Sequence, residues 1–390
     1  MVNRVVLFIL DSVGIGALPD AKDFNSEGAN TLGHIVKGHP DINLNHLIEL
    51  GLGNIEGVDY LPETKEPKAA FGRAREYSNG KDTTTGHWEI AGIHLDKPFK
   101  TYPNGFPKEV MDEFQRRTGK KGIGNKPASG TKIIEELGEE HLRTKNPIVY
   151  TSADSVFQIA AHEEVIPLKE LYAMCETARD IMTGEHAVAR IIARPFIGDL
   201  GSFERTANRK DFSLSPQEKT VLDFALEGDY DVVGIGKIDD IYNGQGISRK
   251  ISSKSNTQGI DRTIEAIKDN TRGIIFTNLV DFDSKFGHRR DPMGYKEALE
   301  EVNNRLPDLL EALNEQDLLI ITADHGNDPT YHGTDHTREY VPLLVYGKAI
   351  ASGTDLGTRN SFADIAATIS EVLQIEKTGN GHSFAENIIK

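Results

Sequence analysis

The sequence predicts an α/β protein in which a doubly wound, mostly parallel sheet carries an inserted, smaller α+β domain. Three observations support this fold class. Several apolar runs of strand length end in polar residues, helical patterns lie between these runs, and the middle of the chain differs in composition. Strands that alternate with helices in this way are typical of a parallel sheet covered on both faces.

The first predicted strand is Val5 to Leu10, within the stretch "RVVLFILDSVGIG". Its β-branched and aliphatic residues are typical of a strand buried on both faces, and Asp11 then lies at its carboxyl end. Three later stretches repeat this pattern: "DVVGIGKIDDIY", "GIIFTNLVDFDSKFGH" and "DLLIITADHGND". Because ligands bind outside the carboxyl ends of parallel strands, the polar residues are predicted to meet in one crevice.

Helical patterns separate or follow these strands. Residues 261–270 and 295–316 have the apolar spacing of helices. A late strand from Tyr340 to Gly347 and a helix from Ser361 to Leu373 complete this domain, with Ser361 as the predicted helix cap.

The middle of the chain has shorter predicted strands, such as "NPIVYTS" and "VARIIARPF", and more Gly, Pro, Asn and Arg in its loops. This change predicts a second domain inserted into the first. We therefore assign residues 1–97 and 216–390 to a core domain and residues 98–215 to the inserted domain.

The composition restricts the possible partners and location. The 390 residues carry a net charge of −16, which argues against nucleic acid and anionic membranes as partners. The single cysteine, Cys175, excludes an intramolecular disulfide and lies in a helical pattern, so we predict a buried thiol in a reducing compartment. No apolar run approaches the length of a membrane span or a signal-peptide core, and the prediction is a cytoplasmic protein.

Two common nucleotide-binding motifs are absent. After Gly14 and Gly16, the third glycine of a dinucleotide fingerprint is replaced by Pro19. The nearest approach to a phosphate-binding loop, "GNKPASGTK", has five residues between its glycines instead of four. Asp11 therefore needs another role, and the simplest alternative is a cap on the following turn.

Candidate metal ligands follow the predicted strands or lie in loops close after them: Asp11, Asp283, His288, Asp324, His325 and His336. Such a set suits two divalent ions, and imidazole and carboxylate donors without thiolates suit zinc or manganese in a catalytic site. The Asp324–His325 pair is the most specific signal, because adjacent residues on a turn after a strand can both enter one site. Nearby Asp281, Asp328 and Asp335 are predicted either to orient the imidazoles or to replace members of the set.

A pair of metal ions typically acts on an in-line displacement at phosphorus or carbonyl carbon, and this needs a nucleophile. The segment "NGKDTTTGHWEIAG" offers the hydroxyls of Thr83, Thr84 and Thr85 just before a helical pattern. A phosphoryl group there is predicted to meet N–H groups at the positive end of the helix dipole. The alternative is that the threonines only cap the helix. Spacing alone does not rank the three, although Thr83 is the earliest and best placed to expose its hydroxyl.

Long motifs spread over nearly the whole chain resemble the phosphopentomutase family, a member of the alkaline phosphatase superfamily. They are "DSVGIG", "GKDTTTGHWE", "TSADSVFQIAAHEE", "NLVDFDSKFGHRRDP" and "ITADHGNDPTYHGTDHTREYVPLLVY". The resemblance implies a core of alkaline phosphatase type with an inserted cap domain. It also implies interconversion of ribose 1-phosphate and ribose 5-phosphate, and of the 2-deoxyribose pair, in nucleoside and pentose phosphate metabolism.

The resemblance also implies a cofactor and residue roles. Two Mn²⁺ ions per chain would be bound by the candidate ligands, with other divalent ions able to replace them, and Thr83 would carry the phosphoryl group. The glycines after Asp11 would keep the loop clear of that group. Glucose 1,6-bisphosphate or ribose 1,5-bisphosphate would prime the enzyme, which is expected to act as a monomer on small pentose phosphates. The implied substrate contacts are Ser152, Asp154, Arg190, Arg205 and Lys237.

Arginines of the inserted domain are candidates for holding the phosphate that does not react, since a guanidinium binds phosphate in a bidentate manner. Arg190, Arg194, Arg205 and Arg209 cluster in "ARIIARPF" and "FERTANRKDF" of an otherwise acidic protein. The alternative is solvated surface charge, which we expect for at least one of them.

The implied mechanism transfers the phosphoryl group from phosphothreonine to the free hydroxyl of a pentose monophosphate. The 1,5-bisphosphate then turns round and returns its other phosphate, and the cap is expected to close over it. The alternative functions are a phosphatase, a metal-dependent phosphoglycerate mutase with a serine nucleophile, and a non-catalytic metal or phosphosugar sensor. A threonine and an intact "TSADSVFQ" segment argue against the first two, and a sensor needs no nucleophile.

Overall fold

The computed structural model describes residues 2–152, 155–269 and 271–389. Its chain divides into two compact units, one of residues Met1–Pro98 and Pro216–Lys390 and one of residues Phe99–Ser215. The inserted unit thus begins one residue after the predicted boundary.

The strands of the described chain, in order, are β1 (Arg4–Leu10), β2 (Ala70–Ala74), β3 (Ile123–Pro127), β4 (Ile148–Thr151), β5 (Val156–His162), β6 (Arg190–Ile197), β7 (Glu204–Arg205), β8 (Lys210–Ser213), β9 (Asp231–Ile235), β10 (Arg249–Ile251), β11 (Gly273–Leu279), β12 (Asp317–Thr322), β13 (Val341–Tyr346) and β14 (Asp355–Arg359).

The α-helices are α1 (Thr31–Gly38), α2 (Asn45–Leu50), α3 (Thr83–Ile90), α4 (Lys108–Thr118), α5 (Gly130–Thr144), α6 (Leu168–Ile181), α7 (Val221–Glu227), α8 (Ile238–Ile241), α9 (Asn256–Lys268), α10 (Pro292–Ala312), α11 (Ala363–Leu373) and α12 (Ala385–Ile388). Short 3-10 helices cover Ala21–Phe24, Leu52–Asn54 and Gly184–His186, and a π-helix covers Phe282–Gly287.

The sheet of the first unit has the strand order β10-β9-β11-β1-β12-β13-β2-β14. Strand β13 is antiparallel to both of its neighbours, and the other pairs are parallel. Every residue of β1, β11 and β12 is buried, so helices cover both faces of the sheet at its centre. The predicted α/β class with a mostly parallel sheet is confirmed.

The structure changes several predicted helix starts. Helix α9 begins at Asn256, five residues before the predicted start, since the Ser255 side chain accepts the N–H of Gln258. Helix α10 begins at Pro292, where Asp291 is the cap. Helix α11 begins at Ala363 with Phe362 at the cap position, so the predicted cap at Ser361 is wrong, although the Ser361 hydroxyl accepts the N–H of Ala363.

The second unit has a mixed sheet with the order β3-β4-β5-β6-β7, and β8 also pairs with β6. One apolar cluster includes residues of α4 and α6, and a second includes residues of α5. Cys175 lies fully buried in the first of these clusters, where burial raises the pKa of its thiol, so the predicted buried thiol is confirmed. Among the described residues, none of the helices has the length and apolar character needed to cross a membrane.

Candidate metal centre and nucleophile

The candidate ligands lie at one edge of the first unit's sheet because three adjacent parallel strands end there. Strand β1 lies between β11 and β12, with Leu10 opposite Leu279 and Ile9 opposite Thr322. Asp11 directly follows β1, and Asp324 and His325 follow β12. Asp283 lies in the π-helix after β11, and His288 directly follows that helix. Short π-helices are rare and often occur at functional sites.

The predicted ligands form two overlapping groups that share His325: Asp11, Asp324 and His325 in one, and Asp283, His325 and His336 in the other. Nε2 of His325 lies 3.6 Å from Oδ1 of Asp11 and 3.2 Å from Oδ2 of Asp324. Nε2 of His336 lies 3.3 Å from Oδ1 of Asp283, and Nε2 of His288 lies 3.4 Å from Oδ2 of the same residue. The structure therefore brings all of the predicted ligands together.

The electrostatics of this edge follow from burying like charges together. Burial and the charges of Asp324 and Asp283 raise the pKa of Asp11 to about 7. Burial alone would raise the pKa of Asp324, but the neighbouring imidazoles, His325 first, hold it well below its usual range. Burial alone would lower the pKa of His288, but its hydrogen bond to Asp283 raises it to about 9. Protonated imidazoles thus compensate the carboxylates, a role that a divalent cation takes when it displaces those protons.

The residues present fit a metal centre. Among the described residues, Oδ1 of Asp11, Oδ2 of Asp324 and Nε2 of His336 are buried atoms that lack a hydrogen bond of acceptable geometry. Unsatisfied buried carboxylate and imidazole atoms that converge on one another are costly unless a cation joins them. Their donor types suit a divalent ion such as manganese or zinc.

Thr83 is the threonine that faces this centre. Its Oγ1 lies 3.1 Å from Nε2 of His325. The Thr85 hydroxyl instead donates to Oδ2 of Asp82 at 2.6 Å, and Thr84 is buried. Geometry therefore separates three hydroxyls that spacing alone did not rank.

The cap of helix α3 is Asp82 and not one of the threonines. Oδ1 of Asp82 accepts the N–H groups of Thr84 and Thr85 at 3.0 and 3.1 Å. The Asp82 carboxylate thus already occupies the N–H groups of Thr84 and Thr85, and the contact of a phosphoryl group with N–H groups of this helix stays a prediction. The sequence Asp-Thr-Thr-Thr could have indicated Asp82 as the cap of α3, since aspartate is among the preferred cap residues.

Sequence reasoning missed three residues that contact the carboxylates. The Asn278 amide donates to Oδ2 of Asp11 at 2.9 Å, and the Asn327 amide donates to Oδ1 of Asp283 at 2.7 Å. His87, fully buried in α3, has Nδ1 2.9 Å from the carbonyl oxygen of Thr83, and the same atom lies 3.0 Å from Oδ2 of Asp324 as a charge contact. Amide donors such as those of Asn278 and Asn327 fix the orientation of a ligating carboxylate.

Two of the Asp residues suggested as orienting groups have other partners, since Asp281 pairs with Lys285 and Asp328 with His34. Asp335 pairs with Lys81, and its Oδ1 also lies 4.0 Å from Nδ1 of His336. The other two imidazoles lie against backbone carbonyls: Nδ1 of His288 is 2.7 Å from O of Thr334, and Nδ1 of His325 is 3.0 Å from O of Gly326. Backbone carbonyls are common partners of ligating imidazoles.

Two glycines allow close approaches around the centre. A Cβ on Gly86 would lie 2.0 Å from the carbonyl oxygen of Asp324, so only glycine lets α3 pack this closely against the loop after β12. A Cβ on Gly14 would lie 2.4 Å from Oε2 of the buried Glu339. Glycine at position 14 therefore makes room for the Glu339 side chain.

The predicted substrate contacts divide between the two units. Lys237 precedes α8 in the first unit, where its charge is among those that favour the ionised form of Asp11. Ser152 follows β4, and Arg190 and Arg205 lie in β6 and β7 of the second unit. Asp154 lies outside the described residues.

The arginines of the second unit differ in their partners. Arg209 makes a two-pronged pair with Asp211 at 2.7 and 2.6 Å, and this exposed pair fits the surface-charge alternative. Arg190 lies 3.6 Å from the same carboxylate, and Nε of Arg194 donates to Gln158. Arg205 is exposed.

The substitution Asn278→Leu is expected to weaken metal binding by about 10- to 100-fold, because Asp11 loses the amide that orients it. Calorimetric titration of the metal-free protein with Mn²⁺ measures this directly. Asn303→Leu is the matched control: Asn303 is equally buried, but its Oδ1 accepts the N–H groups of His46 and Leu47. The control is expected to lose stability and keep its Mn²⁺ affinity. Wild-type affinity in Asn278→Leu would show that Asp11 needs no such support.

Fold and site together define a metalloenzyme. The model of the Metalloenzyme superfamily matches residues 3–377. Among solved structures, a Leishmania mexicana phosphoglycerate mutase has a TM-score of 0.50 at 12% identity, covering 100% of this chain and 98% of that one, which shows a shared fold.

Comparison with curated relatives identifies the family within this superfamily. The phosphopentomutase of Alkaliphilus metalliredigens is 62% identical over 390 residues, which cover 100% of each chain. The phosphopentomutase of Clostridioides difficile is 57% identical over 384 residues, 98% of each chain. The chain belongs to the phosphopentomutase family, as its motifs indicated, and it is an isomerase that uses divalent metal.

Proposed function

We propose that this enzyme interconverts ribose 1-phosphate and ribose 5-phosphate, and the corresponding 2-deoxyribose phosphates, in nucleoside and pentose phosphate metabolism. The observation that carries the proposal is the position of Thr83, whose Oγ1 lies 3.1 Å from Nε2 of His325 within the cluster of candidate ligands. A hydroxyl held at a metal centre suits phosphoryl transfer through a covalent enzyme intermediate, because coordination to a metal activates the nucleophile.

The proposed cofactor is a pair of Mn²⁺ ions held by Asp11, Asp283, His288, Asp324, His325 and His336. Two overlapping ligand groups that share His325 support a pair rather than a single ion. When bound, such ions supply positive charge that stabilises the transferring phosphoryl group and lowers the pKa of a nearby hydroxyl. Asn278 and Asn327 keep the carboxylates of Asp11 and Asp283 oriented before any substrate arrives.

In the proposed reaction, Thr83 Oγ1 begins as a phosphate ester, formed once from a sugar bisphosphate primer such as glucose 1,6-bisphosphate or ribose 1,5-bisphosphate. The free hydroxyl of a pentose monophosphate attacks the phosphorus, its P–O bond forms as the bond to Thr83 breaks, and the sugar's proton is balanced by the proton that Thr83 regains. The 1,5-bisphosphate then presents its other phosphate to Thr83 Oγ1, and the same exchange runs in reverse. Helix α3, capped by Asp82, keeps the hydroxyl in place through both transfers.

The inserted unit is proposed to act as a cap domain that binds the sugar phosphate through Ser152, Asp154, Arg190 and Arg205, with Lys237 contributing from the first unit. The exposed Arg205, and Arg190 at 3.6 Å from Asp211, support this role, since within the described part of the chain neither makes a two-pronged pair of the kind that Arg209 makes. We also propose that the enzyme acts in the cytoplasm as a monomer on small molecules alone. Its single buried thiol fits a reducing compartment, and its net charge of −16 argues against nucleic acid and anionic membranes as partners.

Replacing Arg190 or Arg205 with Met is expected to raise the KM for ribose 5-phosphate by about 10-fold or more, since a charge-assisted contact to phosphate is lost. Steady-state kinetics of both variants test this. Arg209→Met is the matched control and is expected to keep its KM, because Arg209 is engaged by Asp211. Unchanged KM and kcat in both test variants would exclude phosphate recognition by these arginines.

The function itself is tested by incubating the protein with Mn²⁺, a sugar bisphosphate primer and ribose 5-phosphate. Formation of ribose 1-phosphate supports the mutase. Release of free phosphate would indicate a hydrolase, conversion of 3-phosphoglycerate in a parallel assay would indicate a phosphoglycerate mutase, and saturable binding without turnover would indicate a sensor.

A further inference from the structure

Arg338 lies two residues after the candidate ligand His336, and only 2% of its surface is exposed. Its guanidinium donates to three backbone carbonyls of one segment: Glu76 at 2.9 Å, Ser78 at 2.7 Å and Gly80 at 2.6 Å. Thr83 follows that segment after two residues. One side chain thus holds the backbone that leads into the proposed nucleophile.

The same residue also contacts the loop that follows Asp11. Nη2 of Arg338 donates to Oδ2 of Asp20 at 2.9 Å, and its carbonyl oxygen accepts the N–H of Leu18 at 3.1 Å. Oε2 of the buried Glu76 accepts from Nη1 at 2.8 Å, which keeps the guanidinium charge paired. Arg338 therefore joins three stretches of chain, which carry Asp11, Thr83 and His336.

Lys81 makes a second link between these stretches. Its Nζ donates to the carbonyl oxygen of His336 at 2.7 Å and to that of Phe24 at 3.3 Å, and it pairs with Asp335 at 2.8 Å. Lys81 is two residues before Thr83 in the sequence. The side chains of Arg338 and Lys81 thus connect the segment before α3 to the loops that carry the candidate ligands.

We infer that Arg338 is a positioning residue that sets where the Thr83 hydroxyl lies relative to the metal ligands, with Lys81 assisting. The inference rests on the proposed function of Thr83. None of the guanidinium's contacts is with the candidate ligands' side chains, so its effect on the reaction passes through the backbone of residues 76–80.

A lysine at position 338 keeps the charge beside Glu76 but cannot reach three carbonyls and two carboxylates, because an ammonium lacks the planar fork of a guanidinium. Arg338→Lys is therefore expected to let the segment before Thr83 shift while the ligand side chains stay in place. Misplacement of a reacting group by about 1 Å costs about 100-fold in rate. We expect kcat to fall by about that factor, with the KM for ribose 5-phosphate changed less than about threefold.

The experiment measures four quantities on Arg338→Lys and wild type: bound Mn²⁺, kcat and KM, the rate of Thr83 phosphorylation by ribose 1,5-bisphosphate in a single turnover, and hydrogen exchange in the peptide of residues 76–83. The inference expects normal Mn²⁺ content, slow phosphorylation and faster exchange. A residue that only stabilises the fold would lower the melting temperature and leave the single-turnover rate of the folded protein unchanged.

Arg359→Lys is the matched control. Arg359 also pairs with a carboxylate (Asp364, 2.7 Å), donates to a carbonyl (His382, 3.0 Å) and lies over an aromatic ring (Phe384). It is expected to lose stability and keep its phosphorylation rate. Lys81→Met is the second test variant and is expected to slow phosphorylation with Mn²⁺ retained.

A wild-type phosphorylation rate in folded Arg338→Lys would overturn the inference, and so would an unfolded Arg338→Lys combined with a fully active Lys81→Met. Phosphorylation of the wild-type enzyme at a residue other than Thr83 would overturn both the inference and the proposed function. Phosphorylation of Thr83 in the wild-type enzyme distinguishes failure of the inference from failure of the proposed function, because the proposed function then stands whatever the variants do.

Discussion

Thr83→Ala is expected to lose mutase activity by at least about 10⁴-fold, because it removes the hydroxyl that lies 3.1 Å from His325 and is proposed to accept the phosphoryl group. The fold and bound metal are expected to remain, since Thr83 is only half-buried and α3 is capped by Asp82. Steady-state assay, metal analysis and mass spectrometry of the protein primed with sugar bisphosphate measure the three quantities.

Neighbouring threonines supply the controls. Thr84→Ala removes a buried hydroxyl one residue away and is expected to keep both the covalent phosphate and turnover. Thr83→Ser keeps a hydroxyl and is expected to retain part of the activity. The assignment fails if the phosphate is found on Thr84, Thr85 or a serine, or if Thr83→Ala turns over normally.

Asp324→Ala and His325→Ala are each expected to reduce activity below about 1% of wild type and to lose bound metal, because both residues belong to the candidate ligand groups. His325 is shared by the two groups, so we expect its variant to lose more metal than the Asp324 variant. The chain is expected to stay folded, since both residues follow a strand and neither is part of the apolar core.

Metal analysis after dialysis against Mn²⁺, with a thermal unfolding curve for each variant, checks this result. Asp364→Ala is the control: this carboxylate is also buried, but it pairs with Arg359 and accepts the N–H of His382. It is expected to lower the melting temperature and leave Mn²⁺ content unchanged. Full metal content with full activity in Asp324→Ala or His325→Ala would remove that residue from the ligand set.

Local pattern was enough to predict the central strands and the polar residues that follow them. An uninterrupted apolar run such as Val5 to Leu10 indicates a strand buried on both faces, and the residue after it must lie at the sheet edge where its parallel neighbours also end. That rule placed Asp11 beside the Asp324–His325 pair before any contact was known. The order of the motifs further indicated the family, to which the chain does belong.

The local sequence pattern did not predict which side chains hydrogen-bond to one another within the site. Asn278 and Asp11 are 267 positions apart in the chain, and Arg338 and Ser78 are 260 apart, so no local period relates them. Asn278 is a polar residue next to the last position of the fully buried strand β11, and nothing in its local sequence indicates a role. Its role follows from the pairing of β11 with β1, which places Asn278 beside Asp11.

Tertiary structure also decided between readings that the sequence left open. The Asp-Thr-Thr-Thr order contained a cap and a candidate nucleophile without distinguishing them. The folded chain distinguishes them, because the loop after β12 brings His325 to 3.1 Å from Thr83 Oγ1 while Asp82 caps the helix. Periodicity determines which residues are buried and where a strand ends, because it depends on neighbours along the chain. Which polar atoms meet at that end depends on the register between strands and on packing of distant loops, and only the folded chain specifies these.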